Sequence, residues 1–148
     1  METNNQLTWK IIGAAIEVHR EKGPGLLEST YEACLAHELG LRGMKIARQV
    51  AVPLIYKGVA IDSAFRADLI VENQVLVELK AIGGVLPVHR AQIPSYIRET
   101  GHPVGLLINF HAPKLGDGIT RIVNDRPASV SSATSVLKIP VLVQELAP

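Results

Sequence analysis

Apolar residues recur at two different spacings along the chain and divide it into helical and strand segments. The spacing is helical in Leu7–Lys22 and Leu27–Arg42, and Pro87 begins a third helix that ends before Gly101. Pro94 is expected to kink or break this third helix. The predicted strands are Lys45–Val52, Leu54–Tyr56, Phe65–Val71, Val75–Leu79, Val104–Phe110 and Ile119–Val123, and Val59–Asp62 leads into the strand Phe65–Val71. This pattern predicts an α/β fold in which helices flank a mixed central sheet.

The stretch Ala64–Lys80 has the pattern of two strands joined by a tight turn. A turn centred on Asn73 places Asp68 opposite Glu78, since each lies five residues from the centre. Side chains alternate between the faces of a strand, so Glu78 and Lys80 share one face. The hairpin therefore predicts two carboxylates and one ammonium group on a small patch.

This patch has two interpretations. Two carboxylates about 5 Å apart repel each other by on the order of 3 kcal/mol at an effective dielectric constant near 20. A divalent cation would reverse the sign of that energy, and Mg²⁺ is commonly bound by one or two carboxylates with water and phosphate. Alternatively, the patch is a solvated cross-strand cluster in which Lys80 neutralises Glu78. The hairpin alone leaves both interpretations open.

Composition narrows the class of protein. The chain has 148 residues, of which 47% are hydrophobic and 20% charged, as expected for one globular domain. A single cysteine, Cys34, cannot form an internal disulfide, and no apolar run approaches the length of a membrane span. The N-terminus lacks a signal-peptide pattern, so we expect a cytoplasmic protein with no membrane contact. The net charge of +1 means that any contact with nucleic acid must come from a local patch.

The C-terminal part of the chain differs in character from the rest. Residues 125–135 are rich in Ser, Ala and Pro, as in a linker, whereas Leu137–Leu146 is again apolar. We therefore predict a domain at residues 1–124 and a tail at residues 125–148. We expect the tail to dock on a neighbouring subunit or to cover a sheet edge, and we expect a homo-oligomer, in keeping with the first of these.

Two further pairs of residues have spacings that place them on one side of a helix. Glu28 and Tyr31 lie three apart in the first turn of the second helix, where a carboxylate can also simply stabilise the helix N-terminus. Gln92 and Tyr96 lie four apart on the third helix and could both face the hairpin. Arg66 adds positive charge near the hairpin, although alone it is typical of a solvated surface residue.

Taken together, these segments resemble a known family. The segment Gly25–Tyr31 fits the pattern GxxExxY, Asp68 and Glu78-Leu79-Lys80 fit D-x9-E-x-K, and Gln92 with Tyr96 fits Q-x3-Y. In this order the motifs resemble the PD-(D/E)XK nuclease superfamily, and most closely its GxxExxY branch. The resemblance runs from about Ile11 to Asn124, and the tail falls outside it.

The resemblance implies a restriction-endonuclease-like core and specific roles for these residues. Asp68, Glu78, the backbone carbonyl of Leu79 and Glu28 would hold Mg²⁺ or Mn²⁺. Lys80 would orient or help to deprotonate the attacking water. As in RecB-like nucleases, Gln92 and Tyr96 would support the metal site and the nucleic-acid strand, with Tyr31 and Arg66 as further supporting residues.

The function implied by the resemblance is metal-dependent hydrolysis of phosphodiester bonds in nucleic acid, with DNA as the expected substrate. The alternative is a catalytically silent module that uses the nuclease fold to bind nucleic acid or to self-assemble. The near-neutral charge and the apolar tail favour the alternative, whereas the complete acidic set with Lys80 favours catalysis.

If the tail mediates assembly, deleting Leu137–Pro148 should reduce the mass of the oligomer, because the apolar segment would no longer bury its surface on a neighbour. Light scattering on the full-length and truncated proteins measures this directly. An unchanged mass would contradict the prediction.

Overall fold

The computed structural model describes residues 2–125, except for the side chains at positions 63 and 64. The predicted linker and apolar tail therefore fall, apart from Asp125, outside the described residues. In chain order the elements are α1 (Asn4–Lys22), α2 (Glu28–Leu41), β1 (Ile46–Tyr56), β2 (Val59–Val71), β3 (Val75–Lys80), α3 (Pro87–Thr100), β4 (Val104–Asn109), a 3₁₀ turn (Leu115–Gly118) and β5 (Ile119–Val123). Within this part of the chain, no helix is long and apolar enough to cross a membrane.

The strands form a single mixed sheet with the order β1-β2-β3-β4-β5. Neighbouring strands are antiparallel except for β3 and β4, which are parallel. A parallel pair needs a crossover connection, and α3 provides it. The predicted α/β fold with a mixed central sheet is confirmed.

The two faces of the sheet bury separate apolar layers. On one face, α1 and α2 pack over Val77 and Leu79 of β3 together with residues of β2 and β4. On the other face, α3 packs over Leu76 of β3 and Leu107 of β4. This alternation along β3 follows from the period of two in a strand.

The strand boundaries before the hairpin differ from the prediction. The segments predicted on either side of Pro53 form one continuous strand, β1, and Val59–Asp62 is continuous with the following strand as β2. Pro53 is tolerated because β1 lies at the edge of the sheet, and because the register shifts between Val52 and Leu54.

Of the two expected effects of Pro94, a kink or a break, the break does not occur, because α3 is continuous from Pro87 to Thr100. A proline removes one backbone hydrogen bond of the helix. Ile93 and Ile97, both buried against the sheet, hold the helix in place on either side of Pro94. The four-residue spacing between Gln92 and Tyr96 is therefore preserved.

Gly105 lets α3 approach the sheet closely. A Cβ atom at this position would lie 2.3 Å from Cγ2 of Ile93 and 3.3 Å from Cγ2 of Ile97. Both isoleucine side chains are buried, so they have little room to move.

Replacing Gly105 by Ala should lower the free energy of unfolding by about 1–3 kcal/mol, because the added methyl group overpacks the contact between α3 and β4. Urea denaturation measures the change. Gly116→Ala is the control, since a Cβ there meets nothing within 4 Å. Equal effects of the two substitutions would contradict the packing argument.

Candidate active site

The candidate site lies where β2 and β3 stop pairing. Glu72 and Asn73 form the turn, with a φ of 52° each. Val71 pairs with Val75 and Leu69 pairs with Val77, so the hairpin is centred on Asn73, as the sequence predicts. Beyond the pair Leu69–Val77, hydrogen bonds between side chains and backbone amides replace the backbone hydrogen bonds between β2 and β3. The Asp68 amide donates to Oε1 of Glu78 at 3.0 Å, and the Leu79 amide donates to Oδ2 of Asp68 at 2.8 Å.

The strand β2 changes face at Asp68. Leu69 packs in the layer beneath α1 and α2, whereas Ala67 packs in the layer beneath α3. Strict alternation would place these two residues on the same face, so the strand rolls between them. On β1, the other neighbour of β2, Gln49 lies opposite Asp68 and has the unusual φ of 51°. The roll opens the sheet beside Asp68 and lets side chains from helices on both faces approach it.

Glu78 is the most strongly perturbed carboxylate of the site. Alternation along β3 places its side chain on the same face as Leu76, which α3 covers, and the residue is only 5% exposed. Burial raises the pKa of Glu78 to about 8, and the negative charges of Asp68 and Glu28 add to the shift. The Asp68 amide and the Lys80 ammonium group oppose it.

The pKa values of Asp68 and Glu28 are raised as well. For Asp68 the main cause is burial, to which the charge of Glu32 adds, whereas hydrogen bonds from the Leu79 amide and from Gln49 and the charge of Lys80 lower its pKa. For Glu28 the main cause is partial withdrawal of its carboxylate from water, followed by the charge of Asp68, and again Lys80 opposes the shift. Lys80 thus compensates these carboxylates only in part, and a cation among them would be favourable.

On the face of the sheet opposite to α2, α3 brings Tyr96 close to Glu78 and Asp68. Its ring stacks on Phe65 with centroids 4.0 Å apart, and the residue is 7% exposed. Burial raises the pKa of Tyr96 to about 12, with further contributions from Glu78 and Asp68. Gln92 lies one turn earlier on α3 and is half-buried. Tyr96 therefore borders the site as a neutral phenol.

The GxxExxY segment fixes the loop that leads into α2. Tyr31 is fully buried, its ring stacks on Phe110, and its hydroxyl donates to the Gly23 carbonyl. The same hydroxyl accepts from the Leu26 amide at 3.1 Å. Gly25 has a φ of 108°, which a residue with a side chain rarely adopts. Tyr31 thus supports the site indirectly, by holding the loop from which Glu28 begins α2.

Of the remaining predicted residues, Arg66 is exposed and lies at the border of the site. Its guanidinium donates to the backbone carbonyl of Gln49 at 3.0 Å. This contact holds the side chain along β1, next to the point where the strand is distorted.

Sequence reasoning missed a bridge between α2 and the hairpin. Glu32 is 7% exposed and pairs with Nε of Arg48 at 3.1 Å. Nε2 of Gln49 lies 2.7 Å from Oε1 of Glu32 and 3.1 Å from Oδ1 of Asp68. Glu32 lies four residues after Glu28, so both side chains share one face of α2, and this spacing could have indicated Glu32 from the sequence. Nothing local marked Gln49, because its role depends on the register of β1 against β2.

Asn109 was also missed, and it holds the chain that follows Lys80. It is the register partner of Lys80 on β4 and is 5% exposed. Its side chain accepts from the Ile82 amide at 3.2 Å and donates to the Ile82 carbonyl at 3.0 Å. These bonds fix the path of the backbone as it leaves Lys80.

The donor atoms suit an open metal site rather than a closed cage. Among residues 2–125, no group of three or more His, Cys, Asp or Glu side chains is arranged to hold a metal ion. The carboxylates of Asp68 and Glu78 nevertheless bind backbone amides of each other's strands at this point, and the Leu79 carbonyl lies on the same edge of the strand as the Leu79 amide, which binds Asp68. Such hard oxygen ligands fit Mg²⁺ or Mn²⁺, which commonly keep several waters and substrate phosphates as additional ligands.

Comparison with known proteins identifies the superfamily of the chain. The chain belongs to the PD-(D/E)XK nuclease superfamily, since a family model of that description matches residues 5–122. No curated protein matches the chain significantly. A solved structure titled "Crystal structure of SSO0001" is 16% identical and covers 87% of this chain and 82% of its own, with a TM-score of 0.39. That likeness is too low to support any argument.

The raised pKa of Glu78 predicts how stability depends on pH. The folded protein holds a proton on Glu78 up to about pH 8, whereas the unfolded chain releases it near the ordinary value of 4.5. The folded state thus binds more protons in this window, and the free energy of unfolding falls as the pH rises. Between about pH 5 and pH 8 the wild type should lose on the order of 3 kcal/mol relative to Glu78→Gln.

Urea denaturation across this pH range measures the difference. Burial lowers the pKa of His102 to about 4 in both proteins, so its contribution cancels when the two are compared. Parallel pH dependences for wild type and Glu78→Gln would contradict the assignment. Added Mg²⁺ should reduce the loss in the wild type, because the cation stabilises the ionised carboxylates.

Proposed function

We propose that the protein is a metal-dependent nuclease of the GxxExxY branch that hydrolyses phosphodiester bonds, with DNA as its substrate. The observation that carries this proposal is the pair formed by the half-buried Asp68 and the buried Glu78, with Lys80 two residues further along β3. Burying two mutually repelling carboxylates is costly unless something compensates for them. In a nuclease the compensation is a divalent cation.

In this proposal Asp68, Glu78 and the Leu79 carbonyl hold Mg²⁺ or Mn²⁺, and Glu28 completes the set from α2. The cation would lower the pKa of a bound water and stabilise negative charge on the scissile phosphate. The raised pKa values of the three carboxylates support this role, since each of them gains from a nearby positive charge.

Lys80 supplies the remaining chemistry. Alternation along β3 places it on the same face as Glu78, and its side chain is half-buried. There its ammonium group can donate a hydrogen bond to the attacking water and offset charge on the phosphate. Because Asn109 holds the backbone just after Lys80, the lysine projects from a fixed point.

The substrate would be held by a few side chains around the site. Arg66 is exposed and offers a guanidinium group that can bind a phosphate in a bidentate manner. On the side of the site formed by α3, Gln92 and Tyr96 can support the nucleic-acid strand near the metal. The net charge of +1 provides no broad attraction for nucleic acid, so binding would depend on these local contacts.

A second function, a catalytically silent module that binds nucleic acid or self-assembles, is favoured by one observation. The carboxylates of Asp68 and Glu78 already accept backbone hydrogen bonds, and no closed three-ligand group occurs within residues 2–125. Such a pair could remain protonated and purely structural. Exposed apolar residues near the β1–β2 turn, including Ile55, Tyr56 and Val59, would then serve assembly.

Three further parts of the proposal rest on the sequence. The nuclease-like domain spans residues 1–124, and the tail at residues 125–148 serves homo-oligomer assembly. The protein acts in the cytoplasm, in keeping with its single cysteine.

Asp68→Asn and Lys80→Ala should each reduce metal-dependent cleavage by about 100-fold or more, because one removes a ligand charge and the other the donor to the water. Calorimetric titration should show weaker Mn²⁺ binding by Asp68→Asn, whereas Lys80→Ala should bind Mn²⁺ about as well as the wild type. Cleavage is followed with Mn²⁺ on single-stranded DNA, duplex DNA and RNA.

Lys114→Ala is the control for loss of a lysine, because Lys114 is exposed and distant from the hairpin in sequence. Mn²⁺ binding without cleavage of any of the three nucleic acids would favour the silent module. Cleavage by the wild type that survives in both site variants would exclude these residues as the catalytic set.

A further inference from the structure

Gln49 has a backbone conformation that is unusual for a residue within a strand. The pairs Arg48–Leu69 and Val50–Ala67 flank it, so Gln49 lies across β1 and β2 from Asp68. Its φ of 51° is in the left-handed region, which is uncommon for residues other than glycine. The distortion therefore coincides with the roll of β2 at Asp68.

The side chain of Gln49 bridges two carboxylates on different elements. Its Nε2 atom lies 2.7 Å from Oε1 of Glu32 on α2 and 3.1 Å from Oδ1 of Asp68 on β2. An ionised carboxylate can only accept hydrogen bonds, and an amide nitrogen carries two hydrogens, so the orientation of the amide follows from its neighbours. The amide gives one hydrogen to each carboxylate.

This bridge is fixed at both ends. Arg48 binds the other oxygen of Glu32 at 3.1 Å, and Glu32 is 7% exposed. The guanidinium of Arg66 binds the backbone carbonyl of Gln49. At the other end, the Leu79 amide binds Oδ2 of Asp68. Each oxygen of Asp68 therefore has its own donor, and the plane of the carboxylate is defined without a metal.

A role limited to backbone geometry does not account for these contacts. A glycine would adopt a φ of 51° without strain, but it would offer no donor to Asp68 or Glu32. Gln49 instead combines a strained backbone with a side chain that reaches two carboxylates. Strain of this kind is concentrated where a structure positions functional groups.

We propose that Gln49 is a positioning residue of the metal site, which holds the Asp68 carboxylate in its ligand orientation and couples it to α2 through Glu32. This inference rests on the proposed function, because it assumes that Asp68 binds the metal. Groups that orient metal ligands typically change metal affinity 10- to 100-fold when they are removed.

The test is calorimetric Mn²⁺ titration of wild type, Gln49→Met, Glu32→Met and the double variant. Methionine keeps the length of either side chain but removes the hydrogen bond. Gln49→Met should bind Mn²⁺ about 10- to 100-fold more weakly than the wild type. If the two residues act through one bridge, the double variant should bind nearly as well as the weaker single variant. Gln74→Met, at the distant turn of the hairpin, is the control and should bind Mn²⁺ normally.

Two further readouts separate positioning from general damage to the fold. Without metal, Gln49→Met should lower the melting temperature no more than is expected for the loss of the two hydrogen bonds of this exposed side chain. At saturating Mn²⁺, cleavage by Gln49→Met should recover most of the wild-type kcat with an unchanged KM for DNA. A merely structural role would instead lower stability and metal affinity together, and excess Mn²⁺ would not restore kcat.

The outcomes are distinguishable. Normal Mn²⁺ affinity in Gln49→Met would overturn the inference and leave the proposed function intact. If the fold-losses of Mn²⁺ affinity in the two single variants multiply in the double variant, the two residues act independently, and the coupling through Glu32 would be overturned. Failure of the wild type itself to bind Mn²⁺ would overturn the proposed function, and this inference with it.

Discussion

The exchange of hydrogen bonds between Asp68 and the chain around Glu78 is the interaction on which the rest of the site depends. Each carboxylate accepts from a backbone amide of the opposite strand, so the hairpin stays closed where its regular ladder has ended. The same arrangement withdraws both carboxylates from water and raises the pKa of each. The hydrogen bonds that hold Asp68 and Glu78 in place therefore only partly compensate the cost of ionising these two carboxyl groups.

Stability and function make opposite demands on this pair. Without a cation, charging both carboxylates is unfavourable, so Glu78 keeps its proton at neutral pH, and Lys80 offsets the unfavourable charge only in part. A bound divalent ion would stabilise the fold by binding the native state alone. In the nuclease proposed above, the cost of burying Asp68 and Glu78 is the physical basis of their affinity for metal.

The helices on both faces of the sheet bring further residues to the site, because the sheet opens beside Asp68. On one face, α2 brings Glu28, which is held in place by the buried Tyr31 and by the turn at Gly25. On the other face, α3 brings Tyr96, which can pack closely because Gly105 leaves room for the helix. The motifs at these positions therefore combine residues that carry chemistry with residues that only shape the backbone.

The sequence by itself determined the elements, the centre of the hairpin at Asn73 and the nearness of Asp68 to Glu78, because strand alternation and turn residues are local properties. It also pointed to the superfamily through motifs at fixed spacing. Only the tertiary structure decided that β1 continues through Pro53 and that α3 continues through Pro94, since an edge position and packing override local preference. The bridge from Glu32 through Gln49 to Asp68 was likewise decided by the register between distant segments, which no local pattern encodes.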